Sequence, residues 1–177
     1  MQNEESIIWR AKQHDQMALT QLYEENFDKI YRYIVLKIGE KTEAEDMTQQ
    51  VFLKAFKNIS SYKYQGLPFS SWLYRIAHNQ IVDYFRKKSK RATVPLDESL
   101  TAGNSDPRQE VERSLEVEDL ARATRKLTKS QQEVISLRFA GEFSIAQVAR
   151  VMGKSEGAIK ALQHSAIVSL RKVLSTG

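Results

Sequence analysis

Apolar residues recur at helical spacing in every long block of this sequence, and this pattern constrains the fold more than any other feature. Between Met17 and Ile38 the apolar positions fall three or four residues apart, and Gly39 ends the pattern. The same spacing recurs over 42–58, over 69–91 and in the part of the chain after 116. Sustained alternation of apolar and polar residues, which is typical of strands, is absent throughout. The sequence therefore predicts an all-α protein with two small helical domains.

The charge distribution divides the chain. The 177 residues carry a net charge of +5, but residues 96–119 contain eight acidic and two basic residues and so carry −6. The remainder carries +11, which suits a polyanionic partner, although basic proteins without a nucleic-acid role are common. The polar, turn-forming stretch "VPLDESLTAGNSDP" begins at Val94. We therefore predict a first domain over 1–93, an acidic flexible linker over 94–117 and a helix-turn-helix domain over 118–177.

Composition argues against several classes of function. There is no cysteine and the three histidines are scattered, so neither a disulfide nor a zinc site is expected. No nucleophile, carboxylate pair or phosphate-binding glycine loop is clustered, and we expect neither enzymatic activity nor a cofactor. No apolar run reaches the length of a membrane span and the N-terminus lacks a signal pattern, which predicts a cytoplasmic protein without membrane insertion.

Local signals mark where helices begin. A Ser or Thr followed three residues later by Glu or Gln can form a capping box, in which each side chain bonds an amide of the first turn. Such pairs are Thr42 with Glu45, Thr128 with Gln131, and Ser144 with Gln147. Ser155 precedes a further helical pattern and can cap it alone. These signals predict four helix starts.

The segment 144–164 contains two short helical patterns separated by Gly153. Ala149 allows two helices to cross closely, and Gly153 can adopt the left-handed conformation of a tight turn. In the second helix, the face opposite the apolar residues has small side chains near its start and a base farther along, which suits the major groove of DNA. These residues are Gly157, Lys160, Ala161, His164, Val168 and Arg171. The alternative is a helical hairpin whose outer residues are merely solvated.

Residues 127–174, which begin "LTKSQQEVISLRFAGEF", resemble the fourth conserved region of bacterial sigma factors. The resemblance is to the extracytoplasmic-function group of the sigma-70 family. It implies that the helix beginning near Ser155 reads the minus-thirty-five promoter element. The matching positions are Ser155, Glu156, Gly157, Lys160, Ala161 and His164, to which we add the outward-pointing Arg171. Leu162, Gln163 and Ser165 stand where many members carry arginine, leucine and arginine, which leaves fewer phosphate anchors.

The outward face of the helix over 42–58 carries one leucine among polar residues. A solvated face is the simpler interpretation, since single exposed leucines are normal. However, "AEDMTQQVFLKAF" resembles the second conserved region of sigma factors, which implies docking on the clamp helices of the largest polymerase subunits. The docking positions would be Asp46, Gln49, Gln50, Phe52 and Leu53, with a core position as the alternative for Phe52.

The helix over 69–91 presents a polar stripe and follows an aromatic loop. The stripe consists of Arg75, Asn79, Asp83 and Arg86, with Lys87 opening the basic end "RKKSKR". In the loop "SYKYQGLPF", the rings of Tyr62, Tyr64 and Phe69 can stack on unpaired bases. Burial of the rings and solvation of the stripe are the alternatives. The helix sequence resembles the sigma segment that melts DNA and recognises the minus-ten element.

The resemblance covers residues 17–174 and implies a transcription initiation subunit. Such a protein binds core RNA polymerase through the clamp helices and the flap, binds promoter DNA, and has an anti-sigma factor as a further partner. The acidic linker would run near the positively charged RNA path of polymerase. Two alternatives are a helix-turn-helix repressor or activator that is not a polymerase subunit, and a helical protein that titrates a partner. Neither accounts for the aromatic loop followed by the stripe.

Overall fold

The computed structural model describes residues 3–91 and 117–175, and every regular element in these two ranges is helical. The N-terminal part comprises α1 (Glu4–Lys12), α2 (Gln16–Ile38), α3 (Lys41–Lys57), a 3₁₀ turn (Ile59–Ser61) and α4 (Phe69–Arg91). The C-terminal part comprises α5 (117–125), α6 (Lys129–Ile135), a π-helical turn (Ser136–Ala140), α7 (Ile145–Met152) and α8 (Glu156–Ser175). The all-α prediction is confirmed. The predicted linker lies outside the described residues except for Val117.

The ends of α2 follow from its local sequence. The Asp15 carboxylate accepts a hydrogen bond from the Met17 amide at 3.0 Å and so caps the first turn. At the other end, Gly39 has a φ of 74° and its amide donates to the Val35 carbonyl at 2.8 Å. Glycine adopts this left-handed conformation without the steric cost that a Cβ brings. The predicted stop at Gly39 is confirmed.

The predicted start of α3 is wrong. Thr42 and Glu45 do not form a capping box, because α3 already begins at Lys41 and its N-cap is Glu40, which makes no side-chain capping bond. The reason is the preceding turn: Gly39 reverses the chain and Glu40 is extended, so the helix can begin immediately afterwards. Thr42 therefore lies inside the first turn, where its side chain cannot act as the N-cap.

The predicted helix starts of the C-terminal part are confirmed. Thr128 with Gln131 and Ser144 with Gln147 form complete capping boxes. The Ser155 hydroxyl accepts a hydrogen bond from the Ala158 amide at 3.1 Å. Gly153, the C-cap of α7, has a φ of 66°. Since all of these bonds join residues within a few positions of each other, the local sequence is sufficient to determine them.

No sequence pattern above predicts α1. It is capped by Asn3, whose side chain accepts from the Ser6 amide at 2.8 Å, and it buries Ile7, Ile8 and Ala11 against the rest of the N-terminal part. It packs mainly on α2 and also contacts the 3₁₀ turn. None of the helices among the described residues has the length and apolarity needed to cross a membrane.

The two parts of the chain pack on one another through a shared hydrophobic core. Three rings bridge them: the ring centroid of Tyr74 lies 4.9 Å from that of Tyr33 and 5.2 Å from that of Phe143. Both pairs have the edge-to-face geometry that aromatic rings prefer. Gly141 lies where a Cβ would be 3.0 Å from the Tyr74 hydroxyl, so the close approach of the parts requires a glycine.

A polar cluster centred on Glu133 of α6 also joins the two parts. Its carboxylate accepts a hydrogen bond from the Tyr33 hydroxyl at 2.8 Å and forms an ion pair with Lys37, both on α2. The Lys37 side chain is 9% exposed, so Glu133 neutralises a buried cation. At the surface, Arg32 makes a second ion pair across the same contact, with Glu142 at 3.4 Å. No pattern in the sequence predicts this contact.

Stability is expected to fall at alkaline pH because buried tyrosines resist ionisation. Burial raises the pKa of Tyr62 to about 12, and burial followed by the Glu133 carboxylate raises the pKa of Tyr33 well above its usual value. A tyrosine whose pKa is higher in the folded than in the unfolded state stabilises the fold below about pH 10. This stabilisation is lost as the pH rises through the folded-state pKa. Urea unfolding followed by circular dichroism at several pH values measures this loss. Tyr62→Phe should weaken the dependence above pH 10, and a slope equal to that of the unaltered protein would contradict the assignment.

Candidate nucleic-acid and polymerase interfaces

The predicted minus-thirty-five residues share one exposed surface, which we call the recognition face. It consists of Ser155, Glu156, Gly157, Lys160, Ala161, His164 and Arg171. Behind it, Ile159 is completely buried and Ala149 of α7 is nearly so, which fixes α8 against α7. A Cβ added at Gly157 would meet no atom within 4 Å, so the start of α8 is open on that side. Apart from Glu156, the surface is small near its start and basic farther along, which suits insertion into the major groove.

Two polar residues of α8, Gln163 and Ser165, hold the helix in place. The Gln163 side chain accepts from Arg138 Nε at 2.8 Å, and the Arg138 guanidinium also donates to the Phe143 carbonyl at 2.7 Å. The Ser165 hydroxyl accepts from Gln131 Nε2 at 2.9 Å. Both side chains therefore bond within the domain, and at position 165, where the family pattern has an arginine, a hydroxyl that supports the domain takes its place.

The predicted polymerase-binding residues divide between surface and core. Asp46, Gln49, Gln50 and Leu53 are exposed on α3, and we call them the docking face. Leu53 is 70% exposed, although apolar side chains of this size are usually buried. Phe52 does not belong to this face. It is 2% exposed, with its ring 5.0 Å from Tyr23 and 5.8 Å from Phe56, so its predicted docking contact is corrected to a core position.

The predicted minus-ten residues divide in the same way. Tyr64, Arg75, Asn79, Asp83, Arg86 and Lys87 are exposed, and we call them the single-strand face. Arg86 and Asp83 pair at 3.5 Å. Tyr62 and Phe69 are buried and pack with Trp72 at centroid distances of 5.2–5.6 Å, so neither ring can stack on a base in this arrangement. This corrects their predicted role, because the apolar core holds their rings.

A cleft of about 800 Å³ opens between the aromatic loop (residues 62–68), α4, α6 and α7. Its basic lining residues are Lys63, Arg75, Lys129, Arg150 and Lys154. The Arg150 guanidinium donates to the carbonyls of Gln65 at 2.7 Å and Gly66 at 3.0 Å, so the C-terminal part contacts the loop directly. Gly66 has a φ of 79°, which a residue with a Cβ adopts only with strain.

Comparison with known proteins matches both parts of the chain. The family described as Sigma-70 region 2 matches residues 22–91, and the family described as Sigma-70, region 4 matches residues 124–172. The ECF RNA polymerase sigma factor BldN of Streptomyces coelicolor is 40% identical over 95% of this chain, and the chain spans 64% of BldN. The ECF RNA polymerase sigma factor SigW of Bacillus subtilis is 30% identical over 94% of both proteins.

A solved structure supports the same fold. The sigma factor RpoE in complex with the anti-sigma factor NepR, from Bartonella quintana, aligns with a TM-score of 0.64 and 22% identity. The alignment covers 88% of this chain and 96% of RpoE. Taken with the two region matches and the relation to SigW, these findings establish that the chain belongs to the extracytoplasmic-function sigma factors of the sigma-70 family.

Proposed function

We propose that this protein is a transcription initiation subunit that binds core RNA polymerase and directs it to specific promoters. The observation that supports this most strongly is that the chain has two separate surfaces suited to nucleic acid, the recognition face and the single-strand face. A helix-turn-helix repressor or activator requires only the first. In the proposed role the protein performs no covalent chemistry and acts in the cytoplasm, where polymerase and promoter DNA are found.

The recognition face is proposed to bind the minus-thirty-five element as duplex DNA. The start of α8 enters the major groove, where the absence of a side chain at Gly157 permits close approach. Lys160 and Arg171 contact phosphates, which position the helix without reading sequence. Glu156, Ala161 and His164 then lie toward the base edges, and they set the sequence preference.

The single-strand face is proposed to capture bases of the minus-ten element as they leave the duplex. Extruding a base costs on the order of a few kcal/mol. Stacking on an aromatic ring returns about 1–3 kcal/mol per base. Tyr64 is the exposed ring of the aromatic loop, and stacking on this one ring does not offset the whole cost of extruding a base. Asn79 and Arg75 therefore supply hydrogen bonds to base edges and backbone.

We also propose where the protein contacts polymerase, a further partner and the limits of the two domains. The docking face binds the polymerase clamp helices, and the C-terminal domain contacts the flap. An anti-sigma factor holds the free protein, in the way that the sigma factor RpoE is in complex with the anti-sigma factor NepR. The domain limits 1–93 and 118–177 remain proposals, and the two matched regions fall inside them.

The test of the proposed function is reconstitution with core RNA polymerase. Holoenzyme assembled from purified core and this protein is incubated with a pool of genomic DNA fragments, and the transcripts are mapped. We expect transcripts that start at defined sites and depend on the added protein. If the protein binds duplex DNA but core polymerase neither retains it nor gains specific starts, the repressor or activator hypothesis is correct instead.

Alanine at Tyr64 or Asn79 is expected to impair strand opening while leaving duplex binding unchanged. Both side chains are exposed, so the fold should be preserved. Losing one stacked base corresponds to about 1–3 kcal/mol, or at least about a fivefold loss of open complexes. Permanganate reactivity of thymines on a promoter found by reconstitution measures opening, and filter retention measures occupancy. Lys57→Ala, on the exposed side of α3, is the control; thymine reactivity equal to the control would remove these residues from the single-strand face.

A further inference from the structure

Helix α1 lies outside the residues that match Sigma-70 region 2, yet it contacts both ends of the aromatic loop. The Lys12 ammonium donates to the Tyr62 carbonyl at 2.5 Å, at the start of the loop. The Glu4 carboxylate accepts from the Phe69 amide at 3.2 Å, at the end of the loop. The two side chains come from opposite ends of α1, about 12 Å apart along its axis. One rigid helix therefore spans the loop and holds its two ends.

The two bonds are of a kind that restrains backbone strongly. Each joins a charged side chain to a backbone group in a partly buried setting, and such charge-assisted bonds are stronger than neutral ones. The Phe69 amide is also one of the first amides of α4, which lack partners within the helix, so Glu4 caps α4 from a distance of 65 residues in sequence. The Lys12 ammonium additionally lies 5.9 Å from the centroid of the Tyr62 ring.

The restrained segment carries the exposed side chain that the single-strand face needs. Tyr64 lies between the two held ends and is 55% exposed, and α4, which begins at Phe69, carries Arg75 and Asn79. The middle of the loop is held by Arg150 of the C-terminal part. That contact is lost if the two parts separate, whereas the bonds from α1 stay within the N-terminal part. When the two parts are separate, α1 therefore still restrains the aromatic loop.

We propose that α1 is a positioning element for single-stranded DNA, in which Glu4 and Lys12 act as positioning residues that orient Tyr64 relative to Asn79. This inference rests on the proposed function of the single-strand face. The ligand class is the unstacked strand, bound by a ring, an amide and guanidinium groups. The two positioning residues do not touch it themselves.

Two variants, each with a matched control variant, test the proposal. Glu4→Ala removes the bond to Phe69, and Glu5→Ala removes an exposed carboxylate from the same first turn of α1. Lys12→Met removes the bond to Tyr62, and Lys12→Arg retains a donor of the same charge. Amide hydrogen exchange over residues 62–69 of the full chain reports the restraint. We expect exchange about tenfold faster in Glu4→Ala and Lys12→Met, and no change in Glu5→Ala and Lys12→Arg.

The second measurement is binding of single-stranded DNA by the holoenzyme. The probe is a fluorescent single strand that the unaltered holoenzyme recovers from a random pool. Glu4→Ala and Lys12→Met should weaken its binding about fivefold or more, while duplex binding by the recognition face stays the same. Faster exchange without weaker single-strand binding overturns the proposal, and so does equal behaviour of all four variants. If the unaltered holoenzyme retains no single strand, the proposed function itself is wrong.

Discussion

Glu133→Ala is expected to weaken the contact between the two domains and to raise the fraction of molecules in which they are apart. The substitution leaves the Lys37 ammonium, whose side chain is 9% exposed, without its carboxylate partner, and it removes the acceptor of the Tyr33 hydroxyl. Breaking a buried ion pair by removing one partner costs about 3–5 kcal/mol, and we expect the lower end because the Glu133 side chain is 22% exposed. The domains can avoid this cost by moving apart, which returns Lys37 to water.

Energy transfer between two dyes measures the separation. The chain has no cysteine, so Thr20→Cys on α2 and Leu174→Cys on α8, both at exposed positions, can be labelled specifically. Glu133→Ala should lower the transfer efficiency. The matched control is Glu142→Ala, which breaks the two exposed ion pairs that Glu142 makes with Lys29 and Arg32, each of which contributes less than about 1 kcal/mol. Equal transfer in the two variants would show that the Glu133 cluster does not hold the domains together.

The separation bears on the proposed function. The minus-thirty-five and minus-ten elements are named by their positions, which lie about 25 base pairs apart, or about 85 Å of duplex. A compact chain of this length is only about 40 Å across. In the packed arrangement the recognition face and the single-strand face therefore cannot both reach their elements, and we expect the Glu133 contact to break before a promoter is opened.

Leu53→Asp is expected to weaken binding to core polymerase about thirtyfold without unfolding the protein. The side chain is 70% exposed on the docking face, so a carboxylate there costs the fold little. In a protein interface, the loss of a central apolar contact costs about 2 kcal/mol or more, which is about a thirtyfold loss of affinity. Fluorescence anisotropy of the labelled protein, titrated with core polymerase, gives the two dissociation constants.

The control is a carboxylate placed at another exposed apolar residue of the N-terminal part. Met17→Asp, on α2, changes a residue that is 78% exposed and lies outside the docking face. We expect it to bind core polymerase as the unaltered protein does. If Leu53→Asp, shown to be folded by circular dichroism, keeps its affinity, then the exposed leucine is an ordinary solvated residue and the docking face lies elsewhere.

Local sequence patterns predicted every long helix after α1 and the outward positions on these helices. Helical spacing identifies α2, α3, α4 and α8, because a period of about 3.6 residues places apolar side chains on one face. The stop at Gly39, the turn at Gly153 and the capping boxes of α6 and α7 also follow from local bonds. For the same reason the exposed positions of the recognition face and of Arg75, Asn79 and Asp83 follow from helical spacing, and their roles stay predictions.

Helix packing determines which aromatic rings are exposed and how the two parts of the chain meet. Phe52, Tyr62 and Phe69 suit a binding surface as well as a core by composition, and only their packing shows that they are buried. The bonds of Glu133 with Tyr33 and Lys37 join residues about a hundred positions apart, and those from α1 to the aromatic loop span 50 and 65 positions. Such contacts leave no periodic or local signal in the sequence, because they depend on how whole helices pack.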